Sequence, residues 1–283
     1  MNKTTIDYLT HTWNPIAMRC SKISPACDNC WHLAMANRLA KNPTIGEWER
    51  EAYAGGEHVL LSSVLNEPLK RKKTARIGVQ FMGDLFHDSV TDHGLTRVFG
   101  AMMGARQHTF LLLTKRPGRM LDYFEHFPWG KIPDHLWVGV TAENQEQADK
   151  RIPLLMEIPA KVRFVSVEPM LSQIDLTPWL PHYLDFSYTT DPTRLDWVIA
   201  GGETGPKARP VHPDWIRSLR DQCVSAEVPF FFKQWGEWLG HNQMCGLSGG
   251  VRQEIVDGLS MYRVGKKASG RMLDGRTWEE YPE

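Results

Sequence analysis

One rhythm constrains this chain more than any other feature. Six short apolar runs recur along it: Ile77–Phe81, Thr109–Leu113, Leu136–Val140, Val162–Val167, Trp197–Ala200 and Val228–Phe232. Each is nearly continuous in apolar character and rich in β-branched or aromatic residues, as strands covered on both faces are. Stretches with helical periodicity lie between them: Cys30–Lys41, Gly94–Ala105, Arg119–Phe127, Gln145–Met156 and Asp214–Ala226. Strand and helix alternating in this way imply parallel strands joined by right-handed crossovers. With Thr12–Ile16 as an extra first strand, the pattern predicts an α/β chain: a partial (β/α)6-7 TIM-like barrel over residues 1–236. Residues 237–283 read as a C-terminal extension packed on that barrel. Residues 172–194 read as an inserted loop or short helices.

Composition narrows the class. Lys+Arg and Asp+Glu are equal at 33 each, so no global charge draws the chain to nucleic acid or to an anionic membrane. No apolar run approaches the roughly 18 residues of a membrane span, and residues 1–13 lack a signal-peptide core. Five cysteines is an odd count, and three of them crowd into residues 20–30. That argues against a secreted disulfide scaffold and for a metal site in a reducing, cytoplasmic setting.

Ligands in parallel α/β folds gather at the C-terminal ends of strands. There the sequence places Cys20, Cys27 and Cys30, then Gly83-Asp84 with His87 and Asp88, then Thr114-Lys115-Arg116. Further along come Glu143, Ser166 with Glu168, Gly201-Gly202-Glu203, and Lys233. Three thiolates within eleven residues suit one soft metal centre. A structural zinc is the other reading, with His32 or Cys245 as fourth ligand. Asp84, His87 and Asp88 are either functional groups or helix-capping residues. Thr114, Lys115 and Arg116 suit a carboxylate or phosphate, or form a solvated loop. Of Glu143, Glu168 and Glu203, one suits a ribose hydroxyl pair, and the others suit pairing with Lys115, Arg116 or Lys233. Lys207, Arg209 and His212 are either anion ligands or loop residues. The basic run Lys70–Lys73, with Arg76, either contacts nucleic-acid phosphates or, lying on the edge opposite the cysteines, forms a solvated turn, and the second reading is preferred. Cys223 reads as core. Trp235, Trp238 and Trp278 read either as core or as stacking platforms for a base.

Several motifs together resemble a phage-associated three-cysteine family. They are Thr12–Pro15, Cys20–Trp31, Phe81–Phe86, Leu113–Pro117, Gly139–Thr141, Ser166–Pro169, Gly201–Glu203, Phe232–Gly236 and the segment Gly270–Pro282. That family is in turn similar to radical S-adenosylmethionine (SAM) enzymes. The resemblance implies a [4Fe-4S] cluster on Cys20, Cys27 and Cys30, with SAM on the open iron. Reductive cleavage would then yield a 5′-deoxyadenosyl radical that abstracts hydrogen. Gly83 and Asp84 match by position the motif that binds the methionine amino group. Thr114, Glu143, Ser166, Glu168, Gly201, Gly202 and Glu203 are the remaining cofactor-binding candidates, and Asp84, Lys115 and Glu168 are the catalytic ones. The resemblance also implies a nucleotide, nucleic-acid base or other small polar substrate, and an electron donor such as flavodoxin or ferredoxin. Radical SAM enzymes usually space their cysteines three and then two residues apart, with an aromatic residue before the last. Here the gaps are six and two, and Trp31 follows the last cysteine.

Overall fold

The computed structural model describes residues 1–181, 194–244 and 253–283. The chain is mixed α/β with sheets dominated by parallel strands, and it divides into two compact units. The first comprises Met1–Val140 with Ile158–Lys161, and the second Thr141–Glu157 with Val162–Glu283.

In the first unit the strands are β1 (His11–Trp13), β2 (Arg76–Val79), β3 (Thr109–Thr114) and β4 (Leu136–Thr141). They pair in that order, all parallel, and Asn2–Lys3 adds antiparallel to β1. Helix α1 (Trp31–Leu39) follows β1, α2 (Asp92–Gly104) joins β2 to β3, and α3 (Pro117–Glu125) joins β3 to β4. Local chemistry sets the helix starts. The Thr91 hydroxyl accepts from Gly94 N ahead of α2, and Pro117 opens α3 where no N–H is needed. Phe86, Phe99, Tyr123, Phe124 and Phe127 form an aromatic cluster that locks α2 and α3 together.

In the second unit, α4 (Gln145–Met156) precedes β5 (Arg163–Val167), β6 (Trp197–Gly201), α5 (Pro213–Ser225) and β7 (Phe230–Gln234). β5, β6 and β7 pair in parallel, and every residue of β5 and β6 is buried. That double coverage is why β6 reads as an apolar run and β5 as one broken only by Arg163 and Ser166. Residues 237–283 belong to this unit. Trp238–Gly240, Leu259–Arg263 and Gln253–Val256 make a small antiparallel sheet. The final segment runs beside β7: Phe232 N donates to Trp278 O, and Trp197 Nε1 donates to Glu280 O.

The expected strands and helices all form, within a few residues of their expected bounds, except the first. Thr12–Ile16 splits at Asn14-Pro15: His11–Trp13 joins the main sheet, and Ile16–Ala17 pairs antiparallel with Val59–Leu60 in a separate ribbon. Proline has no N–H for a ladder, so the chain leaves the sheet there. The helix Glu47–Ala54 is not among the expected elements; it is two turns long and buries Ala52 and Tyr53. Part of the expected insertion 172–194, the Gly246–Gly250 stretch and Cys245 lie outside the described residues.

Candidate metal centre

The three cysteines follow β1, and the loop that carries them is held from several sides. Asn14 Oδ1 accepts from Met82 N. Gln80, at a positive φ of 54°, donates to Ile16 O and Met82 O and accepts from Ile16 N. These bonds tie the end of β1 to the end of β2. Pro25–Cys27 forms a single 3-10 turn, with Cys27 N donating to Ser24 O. Cys30 is the residue just before α1 and its side chain makes no capping bond. All three thiols are free.

Cys20 connects this loop to the next two strand ends. Arg116 Nη1 lies 3.7 Å from Cys20 Sγ and 3.1 Å from Asp84 Oδ2. Arg116 Nη2 donates to Ser21 Oγ at 2.7 Å and to Ser21 O at 3.4 Å. One guanidinium thus holds the cysteine loop, the loop after β2 and the start of α3 together, which a planar five-donor fork is suited to do. Burial pushes the Cys20 thiol up, with the Asp84 carboxylate adding to the rise and Arg116 opposing it. His87 Nε2 is 2.9 Å from Ser21 Oγ, and its Nδ1 is 2.8 Å from Ser89 Oγ. Burial first, and Arg116 second, lower the His87 pKa, so a neutral imidazole bridges the two serines.

Asp84 is the hub of this array. Its Oδ1 accepts from Phe86 N at 3.0 Å and Thr114 Oγ1 at 2.7 Å. Its Oδ2 accepts from Lys115 N at 3.1 Å and from Arg116. Both oxygens therefore already hold two donors each, about the full acceptor capacity of a carboxylate. Gly83, at φ 134°, lets the chain turn Asp84 inward, and a Cβ there would lie 2.9 Å from Met18 Sδ. Thr114 is 2% exposed and serves Asp84 and the Arg116 amide. Lys115 gives its backbone N–H to Asp84, and its ammonium makes no ion pair among the described residues.

His32 is buried at 2% exposure. Its Nε2 accepts from Cys20 N at 3.3 Å, while Nδ1 is buried without a partner. Burial, with Arg19 and His87 adding to it, lowers its pKa to about 4, so the ring is neutral. Among the described residues, Asp122, Glu125 and His126 are the group that brings three metal-capable atoms within 4.8 Å of one another, and all three are exposed. The cysteine sulfurs do not meet that spacing. A tetrahedral zinc with ordinary Zn–S bonds needs sulfurs about 3.8 Å apart. A four-iron cube sets its thiolates further apart than a single ion does. The donor set, three soft sulfurs with a guanidinium donor on one of them, fits an iron–sulfur cluster.

In the second unit the candidate acids are paired. Glu143 is fully buried against Arg151, at 3.0 Å. Glu168 meets Lys233 at 2.7 Å and Gln234 Nε2 at 3.2 Å, which is the Glu–Lys pairing weighed from sequence. Glu203 takes Arg209 Nε at 2.9 Å and Nη2 at 2.6 Å, so Arg209 is bound within the chain. Gly201 lies under Glu168, whose Cδ would be 3.4 Å from an added Cβ. At Gly202 an added Cβ would fall 2.0 Å from Trp235 O, so this glycine serves a backbone crossing. Ser166 is 2% exposed, and its carbonyl accepts from Ala142 N. His212 caps α5 through Asp214 N. The stacking reading of Trp235 and Trp238 is overturned: both are buried, with their indole N–H groups on Met272 O and Ala208 O. Trp278 lies under the Arg276 guanidinium. Cys223 is core, as expected, and burial pushes its thiol up.

Ser21 and Arg151 escaped the sequence reading. Ser21 is marked by nothing beyond adjacency to Cys20, and Arg151 is one of two adjacent basic residues on α4.

Fold and site together define a parallel α/β protein with a three-thiol loop at a strand end. The chain belongs to a family described as "Protein of unknown function (DUF5131)", whose model matches residues 3–282. No curated protein and no solved structure matches the chain.

Proposed function

We propose that this chain is a radical SAM-like iron–sulfur enzyme of the cytoplasm, built as a partial (β/α) barrel. Cys20, Cys27 and Cys30 would hold a [4Fe-4S] cluster and leave one iron for SAM. With electrons from a flavodoxin or ferredoxin, that pair supplies reductive cleavage of SAM and a radical able to abstract hydrogen. The substrate class is a nucleotide, a nucleic-acid base or another small polar molecule, in keeping with the phage-associated resemblance.

The observation that carries the reading is the Cys20–Arg116–Asp84 array. A guanidinium donor on one cysteine sulfur, anchored by a saturated carboxylate, suits a redox centre whose potential depends on hydrogen bonds to sulfur. The chain's own residues then take distinct roles. Asp84 positions Arg116 and the Thr114–Lys115 turn. Lys115, with its ammonium open, is the group to hold an anionic part of SAM or substrate. Glu168 is occupied by Lys233 and acts through that pair. His32, neutral and bonded to Cys20 N, fixes the loop; its open Nδ1–H is a donor that a bound group satisfies.

Anaerobic reconstitution tests the reading. The expected protein is brown, carries about four irons with matching sulfide, and loses them when Cys20, Cys27 or Cys30 is replaced by alanine. It releases 5′-deoxyadenosine from SAM when reduced. A colourless protein carrying a single zinc supports the other reading, a structural Cys3His site with His32, and overturns this one.

A further inference from the structure

The loops ahead of β2, β3 and β4 lie side by side at the N-terminal edge of the first unit's sheet, because Arg76 pairs with Thr109 and Phe110 with Leu136. The cysteines follow the C-terminal end of β1, at the other edge of that sheet. The N-terminal edge is basic. Lys70, Arg71, Lys72 and Lys73 precede β2, Arg106 precedes β3, and Lys131 precedes β4. None of the six makes an ion pair with a carboxylate among the described residues. Two contacts join the basic run to the loop before β3. Gln107 Nε2 donates to Arg71 O at 2.8 Å, and Leu69 packs onto Gly104, where an added Cβ would meet its Cδ2 at 2.7 Å.

Beside them is an open groove of about 500 Å³ whose lining includes Arg106, Trp129, Lys131, Asp134 and His135. Trp129 is 36% exposed; its ring meets that of Phe127 in a T-shaped edge contact, centroids 5.3 Å apart. Asp134 is the one carboxylate in that lining. The chain's net charge is zero, so six unpaired cations on one edge are a segregation of charge and not a bulk property. A groove of this size accommodates a nucleotide-sized ligand. An aromatic wall with flanking cations is how single strands are held: bases stack and phosphates meet Lys and Arg. A bilayer surface is flat and asks for protruding apolar groups, which a concave groove lined by Asp134 and His135 does not offer.

We propose that this edge binds single-stranded nucleic acid, with Trp129 stacking a base and Arg106, Lys131 and Lys70–Lys73 meeting phosphates. The proposal is independent of the metal centre. Fluorescence anisotropy of a labelled oligothymidine of about twelve nucleotides, titrated with the full chain, tests it. Binding is expected at about 50 mM salt and weakens as salt rises. Lys72→Gln with Lys73→Gln should reduce the salt slope by about 1.4, at roughly 0.7 per lost phosphate contact. Trp129→Ala should weaken binding roughly tenfold at unchanged slope. All three positions are exposed, and circular dichroism confirms that each variant is folded. Cys20→Ala should bind as the parent does, whatever becomes of its iron. Absence of binding at low salt overturns the proposal, as does indifference to both the paired lysine substitutions and Trp129→Ala. Trp129-dependent binding to phosphatidylserine vesicles but not to the oligonucleotide overturns it in favour of a membrane.

Discussion

The strand-end acids of the two units are used differently. In the first, Asp84 holds four donors drawn from two segments, and one of these donors, Arg116, reaches on to Cys20 and Ser21. In the second, Glu143, Glu168 and Glu203 are each closed by a base of their own: Arg151, Lys233 and Arg209. An acid paired with a base in this way neutralises a buried charge. An acid that aims a cation at a thiol extends into the chemistry of that thiol. The comparison separates positions that support the fold from positions that support the site.

The largest expected effects test that separation directly. Asp84→Ala and Glu143→Ala each leave a buried arginine without its carboxylate, and each should lose about 3–5 kcal/mol in urea unfolding. Only the first should also lower the iron taken up on reconstitution; equal iron loss in both would erase the distinction. Next come the glycines. Gly202→Ala drives a Cβ against a backbone carbonyl that cannot swing aside, and should cost on the order of 3 kcal/mol. Gly83→Ala meets a flexible methionine instead, but at a strained φ, and should cost about 1–3 kcal/mol by the same measurement.

Arg116→Lys should keep a charge on Asp84 yet fail to reach Cys20 and Ser21 together. The expected outcome is about 1 kcal/mol of lost stability, full iron content and a lower midpoint in a redox titration, since a donor to the sulfur is gone. An unchanged midpoint would remove Arg116 from the site. The smallest effect belongs to the surface of the second unit, where Asp274 joins Arg217 and Arg220. Hydrogen bonding from Arg217 outweighs burial and lowers the Asp274 pKa. Its contribution is therefore present above the ordinary carboxylate range and disappears as pH falls through the lowered value. Asp274→Asn should cost under about 1 kcal/mol near neutrality, less in high salt, and nothing in acid.

Much of this was readable beforehand, for local reasons. α4 forms over Gln145–Met156 as expected because Asn144 supplies its cap, accepting from Gln147 N at 3.0 Å. The doubly covered strands stand out because nearly continuous apolar runs have few other uses. Cys20, Cys27 and Cys30 stand out by spacing, and Cys223 by its place on an apolar helix face. Trp235 and Trp238 did not resolve, because an indole suits a core and a base equally well until its N–H partner is known.

The amino-acid order by itself determined which segments become strands and helices and that three thiols share one loop. Those are matters of neighbours, periodicity and turn chemistry. Only the tertiary structure decided which cation meets which acid. Arg116 lies 32 residues from Asp84 and 96 from Cys20, and their meeting depends on parallel strands bringing separate loops to one edge. Side-chain charges carry no mark of their partners; distance in the folded chain assigns them.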